Sequence, residues 1–272
     1  MVSWQVGSVT HTALYAIGPN DNVEVSVDGG SFTNLGGYAK QISAGLDASG
    51  LPEVYAIGSD NAVSVNAAAH GSGWVGLGGY AKQISATVAN TFYIIGLDNA
   101  VYVNHGSGFV SLGGYAKQIS AGADATGLPD VYAIGSNDAL YVNHGSGWVG
   151  WVGAVKQISA TMNNTVYAIG SNDALYVNNG SGNVYLGGYV KQISASLDAT
   201  GKPEVFSIGL DDALFVTHGS SFVRLGGYVT EVSAPAVSIA LPGDLAYVVG
   251  QGHVGSLRRG SSFFSLSGGT IE

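Results

Sequence analysis

Two kinds of side chain recur in this sequence at spacings that suit binding. A tyrosine and a lysine two positions apart appear as Tyr38 and Lys40, Tyr80 and Lys82, Tyr115 and Lys117, and Tyr189 and Lys191. Between them stand short pairs of carboxylate and amide: Asp60-Asn61, Asp98-Asn99 and Asn137-Asp138. Tyrosine offers a flat apolar face with a polar tip, lysine three donors, and Asn and Asp a mix of donors and acceptors. Together they match a pyranose, whose C–H face packs on an aromatic ring while its hydroxyls need paired donors and acceptors. A plainer role is open to each: the tyrosine capping an edge, the lysine lining a tunnel mouth, the Asn-Asp pair making a hairpin turn. A second set, His70 with Trp74, His105 with Phe109, His144 with Trp148 and His218 with Phe222, repeats at a spacing of four. It forms either an alternative sugar site or a Gly-rich hairpin whose aromatic packs between neighbouring units.

Both sets ride on a repeat. The segment LGGYAKQISA covers Leu35–Ala44 and returns at Leu77–Ala86 and Leu112–Ala121, then as LGGYVKQISA at Leu186–Ala195. Decayed copies, WVGAVKQISA and LGGYVTEVSA, cover Trp151–Ala160 and Leu225–Ala234. A catalytic centre needs its residues once, whereas a repeated architecture needs the same local chemistry in every unit. Counting from Gln5 through Gln41, Gln83, Gln118, Gln157 and Gln192 to Glu231 gives seven units with steps of 36, 42, 35, 39, 35 and 39. That length fits a four-stranded propeller blade. From Gln83 onward, alternate units are a constant 74 residues apart, which points to duplication of a two-unit block.

The fourth unit shows the plan. Strands are expected at 118–121, 131–134, 139–143 and 148–152, each β-branched or aromatic, with Gly, Asn, Asp and Pro in the turns between them. The expected fold is all-β: one seven-bladed β-propeller domain over residues 1–272, four antiparallel strands per blade. The blades fall near 1–37, 38–79, 80–114, 115–153, 154–188, 189–227 and 228–272. Ring closure is expected where Met1–Trp4 meets Thr270–Glu272. Antiparallel strands place the Asn-Asp turns and Gly-Gly-Tyr-x-Lys crossovers at one end, and the His-Gly-Ser-Gly turns at the other. Four junctions carry both tyrosine and lysine; Ala154 and Thr230 interrupt two more, so about four competent sites are expected.

Composition narrows the function classes. The chain has a net charge of −9 with nine Lys and Arg, too few to neutralise a nucleic-acid backbone. No apolar run is long enough for membrane insertion, and Met1–Gly7 lacks the features of a signal peptide, which leaves localisation open. With no cysteine, disulfides and thiolate metal sites are out. The Gly-Ser motif of the hairpins recurs in nearly every unit, unlike a nucleophile elbow, and the Asp124–Gly127 turn has too few carboxylates for calcium. No catalytic residue, metal or cofactor is expected, and the oligomeric state is open.

Units reading G-S-N-D-A-L-Y-V, then G-S-G-W-V, L-G-G and Q-I-S-A, as in Gly135–Trp148 and Leu112–Ala121, resemble those of tectonin-type and bacterial seven-bladed β-propeller lectins. The resemblance spans essentially the whole chain and implies several carbohydrate sites between blades, with glycans or glycoconjugates as partners. Fewer tryptophans than in that family leave the choice of sugar open. The expected function is a multivalent carbohydrate-binding protein, with a structural or protein-interaction propeller as its alternative.

Overall fold

The computed structural model describes residues 1–67, 73–198, 200–234, 245–250, 254–259 and 262–270. His70, the inserted Ala68 and Ala69, and the last two residues of the expected closing seam lie outside them. The described residues fold as antiparallel strands without a helix. The first unit is β1 (Val2–Val6), β2 (Val9–Ile17), β3 (Val23–Val27) and β4 (Thr33–Gly36), paired in that order. Next come β5 (Ala39–Leu46), β6 (Pro52–Gly58), β7 (Ala62–Asn66), β8 (Trp74–Ala86), β9 (Phe92–Gly96), β10 (Ala100–Asn104) and β11 (Phe109–Ala123). They continue as β12 (Pro129–Gly135), β13 (Ala139–Asn143), β14 (Trp148–Ala160), β15 (Val166–Gly170), β16 (Leu175–Asn178) and β17 (Asn183–Gly187). The sixth unit is β18 (Val190–Leu197), β19 (Pro203–Gly209), β20 (Leu214–His218) and β21 (Ser221–Gly226); the seventh is β22 (Val229–Ser233), β23 (Leu245–Gly250), β24 (Val254–Arg259) and β25 (Ser262–Thr270).

Strands β5 to β17 form one hydrogen-bonded run of 13. The cause is local: β8, β11 and β14 pass without a break from the outer strand of one blade into the inner strand of the next. Cut at the crossovers, the run is four blades, and with the three separate sheets the strands group into seven four-stranded units. The crossover turns on two consecutive glycines with positive φ, for example Gly113 at 66° and Gly114 at 74°. Residues with a Cβ rarely adopt that conformation, which is why Gly-Gly is kept.

Each apolar core belongs to a junction between blades. One joins Tyr55, Ile57 and Val63 to Ala81, Ile84 and Phe92 of the following blade. Another joins Tyr132, Ile134 and Leu140 to Ile158, Ala160 and Val166. A blade is therefore one layer of a stack, unable to bury its faces alone, as repeat architectures require.

The Gln-Ile-Ser-Ala segment forms the inner wall, and its polar side chains sew one inner strand to the next. Gln83 Oε1 accepts the Ile119 amide at 2.8 Å, while Ser85 Oγ accepts that of Ala121 at 2.8 Å. Gln118 and Ser120 do the same for Ile158 and Ala160, and Gln157 and Ser159 for Ile193 and Ala195. The innermost strand has a sheet partner on one side only, so these side chains satisfy amides that would otherwise be unpaired. The intervening isoleucines are buried in the junction cores.

The two-blade period also has a physical basis. The Leu46 amide donates to Thr87 O at 3.0 Å and the Asn90 amide to Leu46 O at 3.1 Å, so the longer hairpin of blade two leans on the shorter one of blade three. The contact recurs between blades four and five, where the Asn164 amide donates to Ala123 O at 3.1 Å.

Candidate functional site

The rim at the crossovers is built by turns before any ligand is considered. In the hairpin between second and third strands, the first Asx residue accepts the amide two positions on: Asp60 from Ala62 at 2.9 Å, Asp98 from Ala100 at 3.0 Å, Asn137 from Ala139 at 3.2 Å. The second Asx residue takes positive φ, 70° at Asn61, 69° at Asn99 and 64° at Asp138, a conformation Asn and Asp tolerate. The Asx pairs thus have a turn-making role whatever else they do.

The crossover is pinned to these turns. Ala39 donates its amide to Asp21 O at 2.8 Å, Ala81 to Asn61 O at 2.9 Å, Ala116 to Asn99 O at 3.0 Å and Val190 to Asp173 O at 2.9 Å. On the other side the Ser136 amide donates to Tyr115 O at 3.1 Å, and that of Leu210 to Tyr189 O at 3.3 Å. Tyr115 and Tyr189 therefore sit between the turns of two consecutive blades. The crossover rings are left to solvent: Tyr38, Tyr80, Tyr115, Tyr189 and Tyr228 are between 60% and 72% exposed. The tyrosines do not cap a buried edge.

The lysine lies at a bulge. Inner-strand pairing shifts register between Ala39 and Gln41, Ala81 and Gln83, Ala116 and Gln118, and Val190 and Gln192, so the lysine between is the extra residue. A bulge re-aims a side chain, and each ammonium turns to the second Asx residue of its own blade. Lys82 reaches Asn99 Oδ1 at 2.6 Å and Lys117 reaches Asp138 Oδ1 at 2.6 Å; Lys40 meets Asn61, and Lys191 meets Asp212. Lys156, in the junction that lacks a tyrosine, pairs with Asp173 at 2.6 Å. Within one crossover the lysine is thus tied to a turn residue while the tyrosine ring stays exposed.

At the junction of blades three and four a cavity of about 340 Å³ is lined by Tyr115, Ser136, Asn137, Tyr141 and Trp148 with small residues between. Tyr141 was not among the sequence candidates. Its hydroxyl accepts from Asn137 Nδ2 at 3.0 Å, Tyr176 repeats this with Asn172 at 3.1 Å, and Tyr102 donates to Asp98 Oδ2 at 2.7 Å. The signal was present as a tyrosine four residues after the first Asx residue. The Tyr102 hydroxyl and the Ala100 amide hold the Asp98 carboxyl below its usual range.

Trp148 in this cavity takes the packing role open to the second set, an aromatic lodged between neighbouring units. Its indole donates to Leu112 O of the preceding blade at 3.0 Å, and Trp74 does the same to Leu35 O at 3.0 Å. A Cβ on Gly114 would come within 3.2 Å of Trp148, and one on Gly79 within 2.8 Å of Phe109. Phe222 covers Gly188 in the same way. Strand twist carries the outer edge of each blade across its neighbour, so these aromatics pack between blades on the crossover glycines. The histidines turn elsewhere. His105 meets Thr91 Oγ1 at 2.9 Å, His144 meets the buried Asp130 at 2.7 Å and His218 approaches the buried Glu204 at 3.4 Å. Histidine and aromatic are thus divided between two jobs. The Asp124–Gly127 turn is likewise occupied from within, with Asp124 Oδ1 accepting the amides of Thr126 at 2.7 Å and Leu128 at 2.9 Å.

No family model matches the sequence, and no curated protein does. Solved structures do. Human WBSCR16 superposes with a TM-score of 0.67 at 8% identity, over 88% of this chain and 85% of that one. The WD40 β-propeller domain of Doa1 gives 0.64 at 10% identity, over 87% and 85%. YCF48 bound to D1 peptide gives 0.55 at 9% identity, over 97% and 87%. The motif resemblance to seven-bladed lectins is therefore carried as far as the architecture: at these identities the likeness is one of fold, an all-β propeller.

Proposed function

We propose that the seven units form one domain and that it is a binding propeller whose crossover rim docks a polypeptide partner. The observation behind this reading is the set of exposed tyrosines, Tyr38, Tyr80, Tyr115, Tyr189 and Tyr228, held at fixed spacing by backbone hydrogen bonds to the turns around them. Rigid tyrosines supply large contact area at low entropic cost, and interfaces are enriched in them. The similar YCF48 fold was solved with a peptide bound, which favours a polypeptide here. The work of such a rim is recognition rather than catalysis.

A glycan reading stands second, favoured by the cavity of about 340 Å³ that gathers Tyr115, Tyr141 and Trp148 around Ser136 and Asn137. It predicts multivalent binding through repeated junctions, with avidity raised roughly 10²–10⁴-fold where a target spans them.

One experiment separates the two. A displayed peptide library and a glycan array are both presented to the wild-type chain and to a Tyr80→Ala/Tyr115→Ala/Tyr189→Ala variant. Peptides selected by the wild type and lost by the variant support polypeptide docking. Glycans bound by the wild type and lost by the variant, with no peptide selected, replace it with the carbohydrate reading.

A further inference from the structure

Five of the six lysines in this acidic chain occupy one position in the fold: Lys40, Lys82, Lys117, Lys156 and Lys191. All sit at the inner-strand bulge beside the inner-wall glutamine. Their partners differ around the ring. Lys117, Lys156 and Lys191 each face a carboxylate, that of Asp138, Asp173 or Asp212. Lys40 and Lys82 face the amides of Asn61 and Asn99. The order of the two turn residues makes the difference. In blades two and three the acid comes first, as Asp60 and Asp98, where it accepts its own turn's amide and, for Asp98, the Tyr102 hydroxyl at 2.7 Å. In blades four and five the acid comes second and meets the lysine. A change of residue order thus leaves two ammonium groups without a directly paired countercharge on one arc of the mouth.

That arc opens on a cavity of about 950 Å³, lined by Lys40, Lys82 and Lys117, the glutamine that follows each, and Asn99, Tyr115 and Ser136. Gln83 and Gln118 spend their side-chain donors on Ile119 O and Ile158 O, so the ammonium groups are the charged donors of the lining. Each ammonium carries three protons, and its Asx partner takes one. Asp98 moderates the field at Lys82, but its oxygens are committed to Tyr102 and Ala100.

We propose that the mouth over blades two to four is an anion site for a compact ligand bearing a phosphate or sulfate group, held by Lys40 and Lys82 with Lys117 beside them. This goes beyond the rim reading and rests on the lysines; of the rim tyrosines Tyr115 also lines the cavity, whereas Tyr80 does not.

The chain supplies its own control. Asp already occupies the lysine-facing turn position in blades four to six, at φ 64° in each, so Asn61→Asp and Asn99→Asp place a residue there that the turn accepts. Wild type, the N61D/N99D variant and a K40Q/K82Q variant are titrated calorimetrically with inorganic pyrophosphate and separately with sodium sulfate at low ionic strength. The expected result is saturable one-site binding by the wild type that added salt weakens, and at least about tenfold weaker binding by both variants at an unchanged melting temperature. Stronger response to pyrophosphate assigns a phosphate ligand, and to sulfate a sulfated one. Unchanged affinity in N61D/N99D, or no saturable binding by the wild type, overturns the proposal. Tyr80→Ala leaves this titration unaltered, so the anion site and the rim fail separately.

Discussion

Gln-Ile-Ser-Ala and Gly-Gly-Tyr-x-Lys stand next to each other in the same ten residues, five and four times over, yet they meet different surroundings. The first half of the repeat ends in rings exposed by more than half. The second lies in the inner wall, with its Gln and Ser side chains bound to the next blade's backbone and its isoleucine buried. Repetition by itself therefore does not mark a ligand site. A segment recurs because every junction must be made the same way, and only exposure and the lack of a packing partner separate the residues left over for recognition. On that test the wall explains itself by stability, whereas the tyrosines do not.

The contrast is broken if the wall tolerates what the rim tolerates. Gln83→Ala removes the acceptor for the Ile119 amide and the donor to Ile119 O at 3.2 Å. An unpaired buried amide costs about 1–3 kcal/mol, so the variant is expected to unfold at lower denaturant with an unchanged m-value. Ser85→Ala, which strips the Ala121 amide of its acceptor, should fall in the same range. Denaturant midpoints equal to wild type for both would mean that water or another strand does the sewing.

A smaller effect sharpens the comparison through pH. Asp28 and Asp130 each meet a histidine, His11 at 2.7 Å and His144 at 2.7 Å, but in opposite settings. Partial burial alone would raise the Asp28 carboxyl, yet hydrogen bonds from His11 and Thr12 outweigh it and hold the pKa below the usual value. Asp130 is buried, and that desolvation pushes its pKa up despite His144. The signs are opposite. A lowered pKa means the unfolded chain binds the proton more tightly, so the Asp28 contribution is present above the unfolded carboxylate pKa and fades as pH falls through the folded one. A raised pKa means the folded chain holds the proton, so Asp130 favours the fold at low pH and weakens it as pH rises through its window. Asp28→Asn should lose stability relative to wild type as pH rises from acid to neutral, while Asp130→Asn should gain. Stability-against-pH curves that diverge from wild type in the same direction would refute the assignment.

Much of the architecture was legible because glycine and Asx residues punctuate it. The third strand of the fourth blade, Ala139–Asn143, begins and ends where the sequence places it, and the positive φ of Gly113 and Gly114 follows from their type. The unbroken passage of β8 and β11 through the crossover was not legible, since a Gly-Gly pair reads as a loop. Packing of Trp148 between units was one of the two roles the sequence offered, but its seat on the crossover was not legible, since it depends on how far the outer strand swings over the neighbouring blade, a property of accumulated twist and not of local sequence. The same swing brings Tyr141 beside Tyr115. Among the lysines the bulge could not be read in advance, because the repeat keeps Lys beside Gln and gives no sign that the ladder skips it. The change from Asp-Asn to Asn-Asp after blade three was visible, but it gained meaning only once the second position proved to face the ammonium.

The smallest expected change in stability belongs to the rim, and it is the sharper test for being small. Tyr80 is 60% exposed, and neither its ring nor its hydroxyl anchors the crossover, which is held through the Ala81 amide to Asn61 O at 2.9 Å. Tyr80→Ala should therefore shift stability by no more than about 0.5 kcal/mol, as surface substitutions away from structural contacts do. A loss of 1 kcal/mol or more in denaturant unfolding would give the ring a packing role and make the tyrosines one more device of blade assembly, like Gln83. A neutral result leaves five equivalent rings on a rigid rim that the fold does not need. Aromatic side chains kept at that exposure without a stability return are what a recognition surface requires.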